Sequence, residues 1–202
     1  MKTNEERLER LLQSLDTLDH VNVEDIPKID LYMDQVTTFM EKNLSAMKRY
    51  EDDKILTKTM INNYAKNNLL PSPVKKKYSQ EHIILLVFIY YFKNLLNFND
   101  IETILSYITE NHFGEEQLPL SEVYTQVFSL AHQQKANLKE DVREKFEFSK
   151  EAFTDVEDEE SRDDLQLFAF ICELAFDVYL KKRMIEQLTD ELRAENPPKK
   201  KK

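Results

Sequence analysis

The chain has 202 residues, a formal net charge of −10 and 41% hydrophobic residues, enough apolar material to bury a core in one large domain or two small ones. Its one glycine, Gly114, argues against the glycine-rich phosphate cradles of a Rossmann fold or a P-loop, which need several residues free to adopt positive φ. Its one cysteine, Cys172, excludes an internal disulfide and a CxxC metal knuckle, and reads as a small core hydrophobe. The expected fold class is all-α, with at most a minimal β-wing.

Leucines at 8, 11, 12, 15 and 18 line one face of an N-terminal helix, and Pro27 stops it. LYMDQVTTFMEKNL follows, with Val36, Phe39, Met40 and Leu44 on one side. Thr57 can cap a helix over 58–67, and Asn68 stands just past its last turn, where asparagine tolerates the left-handed conformation. Pro71 and Pro73 prevent a restart, and Ser79 opens a long apolar helix to about Leu96. Asn99 and Glu102 have capping-box spacing for the next helix, with Asp100 at the positive end of its dipole.

Beyond it, Val123, Tyr124, Val127, Phe128 and Ala131 share a face, and Leu138, Val142 and Phe146 recur four apart. A long helix is expected over about 162–194. Leu165 to Leu180 is apolar on most sides and should be deeply buried, whereas Ile185, Leu188 and Leu192 form a narrow stripe suited to a dimer seam. The apolar run Ile83–Phe92 is about half the length of a bilayer-spanning helix. MKTNEERLERLL also lacks a signal-peptide core, so a soluble, cytoplasmic chain with no membrane partner is expected. The domains expected are an N-terminal helix and linker (1–28), a compact head (29–110), a helical dimerisation or regulatory region (111–194) and a disordered basic tail (195–202).

Charge singles out one segment. Residues 45–82 carry 8 basic and 4 acidic side chains, a positive balance in an acidic chain and a pointer to a polyanion. On a helical wheel of 58–67, Lys58, Thr59, Asn62, Asn63 and Lys66 fall on one side, and Met60, Ile61, Tyr64 and Ala65 on the other. Asparagine can pair with the N6 and N7 of adenine, threonine can touch a thymine methyl, and lysine can reach guanine or phosphate. Lys75, Lys76 and Lys77 in the next loop can reach backbone phosphates, and Tyr78 can either stack on a sugar or pack beneath the loop. A merely solvated helix face has the same composition, and a run of three lysines is commonly only a soluble loop.

TMINNYAKNNLLPSP, KKYSQEHI and LNFNDIETIL together resemble the DNA-binding head of the mercury-resistance (MerR-type) regulators. Tyr64 stands at the second tyrosine of the family's helix motif, Asn68 at its glycine, Lys76–Ser79 at the end of its wing, and Asn62 and Asn63 where that family has arginine and its first tyrosine. Residues of about 29–108 are also similar to an uncharacterised bacterial family of domains of unknown function. The resemblance implies a winged helix-turn-helix, a double-stranded DNA partner, a homodimer on a palindromic site and a transcriptional role. The other reading is a winged-helix adaptor that binds protein and not DNA, and the C-terminal region could take an unidentified protein or small-molecule effector. His20, His82, His112 and His132 show no metal-ligand spacing, and no nucleophile elbow is present. No enzyme, cofactor or metal is expected.

Overall fold

A computed structural model describes residues 2–115 and 117–196; the basic tail expected at 195–202 lies outside the described residues from 197 onward. Apart from one two-stranded sheet, the regular structure of the described chain is helical. Its elements are α1 (Asn4–Thr17), β1 (Leu31–Tyr32), α2 (Met33–Leu44), α3 (Lys58–Lys66), β2 (Lys77–Tyr78), α4 (Gln80–Lys93), α5 (Phe98–His112), α6 (Leu120–Ser129), α7 (Ala131–Lys150) and α8 (Glu159–Glu195). β1 and β2 pair antiparallel, Leu31 opposite Tyr78 and Tyr32 opposite Lys77. The all-α expectation with a minimal sheet holds.

The chain divides into two compact units, Met1–Asp19 with Leu130–Met184, and His20–Ser129 with the chain from Ile185 onward. The cuts therefore fall at neither 28 nor 110. α6 and the last turns of α8 join the central unit, and α1 joins α7.

In the central unit α4 is the axis. Every residue from His82 to Tyr90 is buried, so this helix must be enclosed on all sides. Val36, Met40 and Leu44 of α2, Ile61 and Tyr64 of α3, Ile101 and Leu105 of α5, and Leu120 and Tyr124 of α6 share its core. Each such side chain contributes about 1.5–3 kcal/mol by leaving water. The Tyr124 hydroxyl donates to the Val21 carbonyl at 2.5 Å, and burial holds its proton affinity far above the usual tyrosine range. Val127, expected on the inward face of α6, is exposed.

Caps set the helix ends. The Thr57 hydroxyl accepts from the Met60 N–H at 3.2 Å, as its position implied. Asn68 has φ 62°. Its N–H donates to the Ala65 carbonyl, and the Leu69 N–H reaches back to the Tyr64 carbonyl at 2.9 Å. Those two bonds, with Leu69 and Tyr64 both buried, are a complete Schellman stop for α3. α5 begins two residues earlier than expected. Asn97 is its cap, accepting from the Asp100 N–H at 3.0 Å and donating to the Asp100 carboxylate at 2.6 Å. Asp100 is also held by Arg193 of α8 at 2.7 Å, with the Arg193 Nε on the Thr103 hydroxyl.

In the other unit, the apolar side chains that α1, α7 and α8 up to Met184 bury among the described residues are Leu8, Leu12, Val142, Phe146 and Phe170, with Leu15, Leu167 and Leu174 half-buried around them. The deep burial expected for Leu165 to Leu180 is not found. Phe168, Ile171, Phe176 and Tyr179 are exposed and Cys172 is half-buried, because a helix lying on two neighbours covers one face only. The stripe of Ile185, Leu188 and Leu192 is divided too. Ile185 packs on the central core, while Leu188 and Leu192 face solvent.

Substitutions at two positions test these anchors. Tyr124→Phe should cost about 1–2 kcal/mol by leaving the Val21 carbonyl without a donor, read as a lower urea midpoint. Asn68→Ala should cost about 1 kcal/mol while Asn68→Gly is neutral or stabilising, because only the left-handed position distinguishes the two.

Candidate nucleic-acid interface

The fold brings α3 and the loop before β2 onto one unit, with α2 behind α3. α3 is amphipathic as the wheel implied. Lys58, Thr59, Asn62, Asn63 and Lys66 are exposed, Ile61 and Tyr64 are buried, and Met60 and Ala65 are half-buried. The amides of Asn62 and Asn63 have no partner within the chain among the described residues, so their donors and acceptors face solvent. Asn67, which had no expected role, is the C-cap, and its Nδ2 donates to the Asn63 carbonyl at 2.8 Å. Lys58 is paired with Asp34, which lies in the first turn of α2. Both side chains are largely exposed, so the pair contributes little to stability.

The loop is a two-residue hairpin. The Lys77 N–H donates to the Val74 carbonyl at 2.9 Å, and Val74 and Lys77 form a bridge. The two central residues, Lys75 and Lys76, have φ of 51° and 64°. Positive φ at both centres is the signature of a type I′ turn, which favours Asn-Gly because a Cβ is strained there. Two lysines in these positions cost on the order of 1–2 kcal/mol each. Strain of this kind at an exposed loop tip points to a role for the side chains. Both are exposed, whereas Lys77 is half-buried with its ammonium 5.2 Å from the centre of the Tyr32 ring.

Tyr78 does not belong to this surface. It is 3% exposed and sits edge-on to His82, so its ring cannot stack on a sugar and instead supports the hairpin from below. Sequence reasoning overlooked the exposed apolar groups beside the hairpin, Ile29, Tyr32 and Val74. Tyr32 lies 45 residues from Lys77 in the chain, and only the β1–β2 pairing places the two side by side.

His82 ties the hairpin to α4. Its Nδ1 accepts from the Ser79 N–H at 3.0 Å and lies 2.8 Å from the Ser79 Oγ, closing the box at the start of the helix. The ring is T-shaped to Phe113 as well. Burial lowers its pKa below the ordinary histidine value, opposed by the backbone of Ser72 and Pro71 and by the charge of Asp30.

Glu51, Asp52 and Asp53 would spoil a polyanion face if they crossed it. The Asp53 carboxylate instead accepts the Arg49 and Tyr50 N–H groups at 3.1 and 3.0 Å. Its charge bears on Tyr90 and Lys93 at the end of α4, and Lys93 donates to the Ile55 carbonyl at 2.7 Å. The hairpin joins α4 at its start, and the 14 residues of the helix extend about 20 Å. Asp53 is therefore held at the far end of α4 from the hairpin lysines, beyond the Debye length of about 8 Å at physiological salt.

The family model described as a domain of unknown function, DUF1836, matches residues 21–145. No curated protein matches the chain, and no solved structure does. Among the described residues no helix is long and apolar enough to cross a membrane.

The hairpin strain has a direct test. Lys75→Asn with Lys76→Gly should raise stability by about 1–2 kcal/mol, seen as a higher urea midpoint; a lower midpoint would contradict the type I′ reading. His82 supplies a pH dependence. Because its folded pKa is depressed, the unfolded chain binds more protons, and stability present above pH ~6.5 is lost as pH falls toward the folded value. The fall in urea midpoint below about pH 6.5 should become shallower in His82→Gln.

Proposed function

The chain belongs to the DUF1836 family, and we propose that its head, about 29–110, is a winged helix-turn-helix of MerR-like type that reads double-stranded DNA as a transcriptional regulator. α3 is the recognition helix in the major groove, and the hairpin within 71–78 is the wing on the phosphate backbone. The observation that carries this reading is the coincidence of free amides at Asn62 and Asn63 with two strained, outward lysines at 75 and 76 on one small unit. The element order β1, α2, α3, hairpin, α4, α5 supports it, as does the position of Asp53 at the end of α4 away from the hairpin lysines.

The division of labour follows from chemistry. Asn62 and Asn63 carry base readout, with Thr59 beside them, because an amide offers a donor and an acceptor in one plane and can match adenine. Lys66, Lys75 and Lys76 carry position, since an ammonium on phosphate contributes affinity without sequence information. Lys58 must exchange its Asp34 partner for phosphate, and Lys77 keeps its stem against Tyr32, so both contribute less. The net charge of −10 weakens non-specific binding and favours two heads acting together, in a cytoplasmic homodimer. The second reading, an adaptor that binds protein, draws on the Lys58–Asp34 pair, which blunts one end of the recognition helix.

Selection from a randomised duplex pool at moderate salt tests the proposal. A sequence motif should be enriched. Lys75→Glu with Lys76→Glu should weaken binding to all sequences and reduce the salt slope by about two. Asn62→Ala with Asn63→Ala should relax preference at one or two positions, costing about 1–3 kcal/mol for the selected site. Absence of any duplex binding at low salt, together with a stable protein partner, would replace this reading with the adaptor.

A further inference from the structure

A carboxylate stands on the face that the proposed reading gives to DNA. Asp34, in the first turn of α2, is paired with Lys58, the first residue of α3. The two side chains are 77% and 59% exposed, so stability does not account for the pair. Both backbones beneath it are anchored. The Tyr32 N–H donates to the Gln35 Oε1 at 2.9 Å, and the Thr37 and Thr38 hydroxyls donate to the Asp34 carbonyl at 3.0 and 2.8 Å. Thr57 caps α3 one residue before Lys58. Two capped helix starts thus present an ammonium and a carboxylate side by side to solvent.

Against phosphate this pair is a poor instrument. It is neutral as a unit, so it displaces no counterion, and its carboxylate is repelled by the DNA backbone. Against base edges it is well matched. In the major groove guanine presents two acceptors, N7 and O6, and its partner cytosine presents a donor, the N4 amino group. Lys58 has donors only, and ionised Asp34 has acceptors only. Side by side they meet both halves of a G·C pair. In the same places an A·T pair sets the adenine amino donor against Lys58 and the thymine O4 acceptor against Asp34. Lys58 has to give up Asp34 to reach a phosphate, but keeps it on a base edge. The N-terminal residues of a recognition helix are the ones that reach base edges, and Lys58 opens α3. Asn62 lies one turn further on, about 6 Å along the axis, which is under two base-pair steps of about 3.4 Å.

We infer that Asp34 and Lys58 act together as the reader of a G·C pair, within about two base pairs of the one set by Asn62, and that Asp34 withholds Lys58 from phosphate. This rests on the nucleic-acid reading of the head and assigns it a specificity residue outside the recognition helix.

The motif that the full chain selects from a randomised duplex pool tests it, followed by titrations over a salt series. The wild-type motif should hold a G·C pair within about two positions of the one that relaxes in Asn62→Ala. Asp34→Ala should lower the preference for that pair about tenfold. Its binding to unrelated duplex should strengthen and the salt slope steepen by about one, as the freed Lys58 goes to phosphate. Lys58→Ala should relax the same position, and combining the two substitutions should lose no more preference there than either alone. Far-UV circular dichroism should be unchanged throughout, since both side chains are exposed. A motif identical in Asp34→Ala, or relaxed equally at every position, overturns the shared reader and leaves the DNA reading standing. Unrelated duplex bound no more tightly by Asp34→Ala overturns the restraint on Lys58. No enriched motif for the wild type overturns this inference together with the reading it rests on.

Discussion

A helix that is apolar on every side must be enclosed on every side, and the central unit is built to meet that demand of α4. His82 to Tyr90 leave no polar face for water. α2, α3, α5 and α6 supply the cover, and β2 with the His82–Ser79 box seals the entry. The direction in which α3 presents its polar face follows from this: Ile61 and Tyr64 must point at the core that α4 defines, so Asn62 and Asn63 point out. The same constraint separates the acidic loop from the hairpin, since one meets the end of α4 and the other its start.

The local chemistry of these elements was legible in the sequence. The Thr57 cap, the left-handed Asn68 and the sidedness of α3 each depend on a few consecutive residues, and each is found where expected. Features that depend on distant residues were not legible. Nothing near Lys58 announces Asp34, and nothing near Asp100 announces Arg193. The start of α5 differs from the expected one because NFND offers two overlapping capping patterns, and Asp100, held by Arg193, is bonded to Asn97 in the earlier one. Type I′ geometry at Lys75 and Lys76 was hidden because it contradicts the residue preference for that turn.

The misreading of α8 has a different cause. An apolar helix is ordinarily a buried helix, and the sequence pattern alone cannot say how much of it the rest of the chain covers. Cys172, read as a core residue, is half-buried on this helix. The head encloses its apolar material in a core, whereas much of the apolar material of α8 from Leu165 to Leu180 is exposed. The acidic character of the whole and the basic character of residues 45–82 coexist because electrostatic recognition is local on the scale of the Debye length.

The most direct test of the account is amide chemical-shift mapping of the full chain with a short mixed-sequence duplex at low salt. The account predicts perturbations concentrated at Lys58–Lys66 and Val74–Lys77, with α8 from Leu165 to Tyr179 unmoved. Shifts confined to other surfaces, or no shifts at a concentration where the free duplex is in excess, would contradict it.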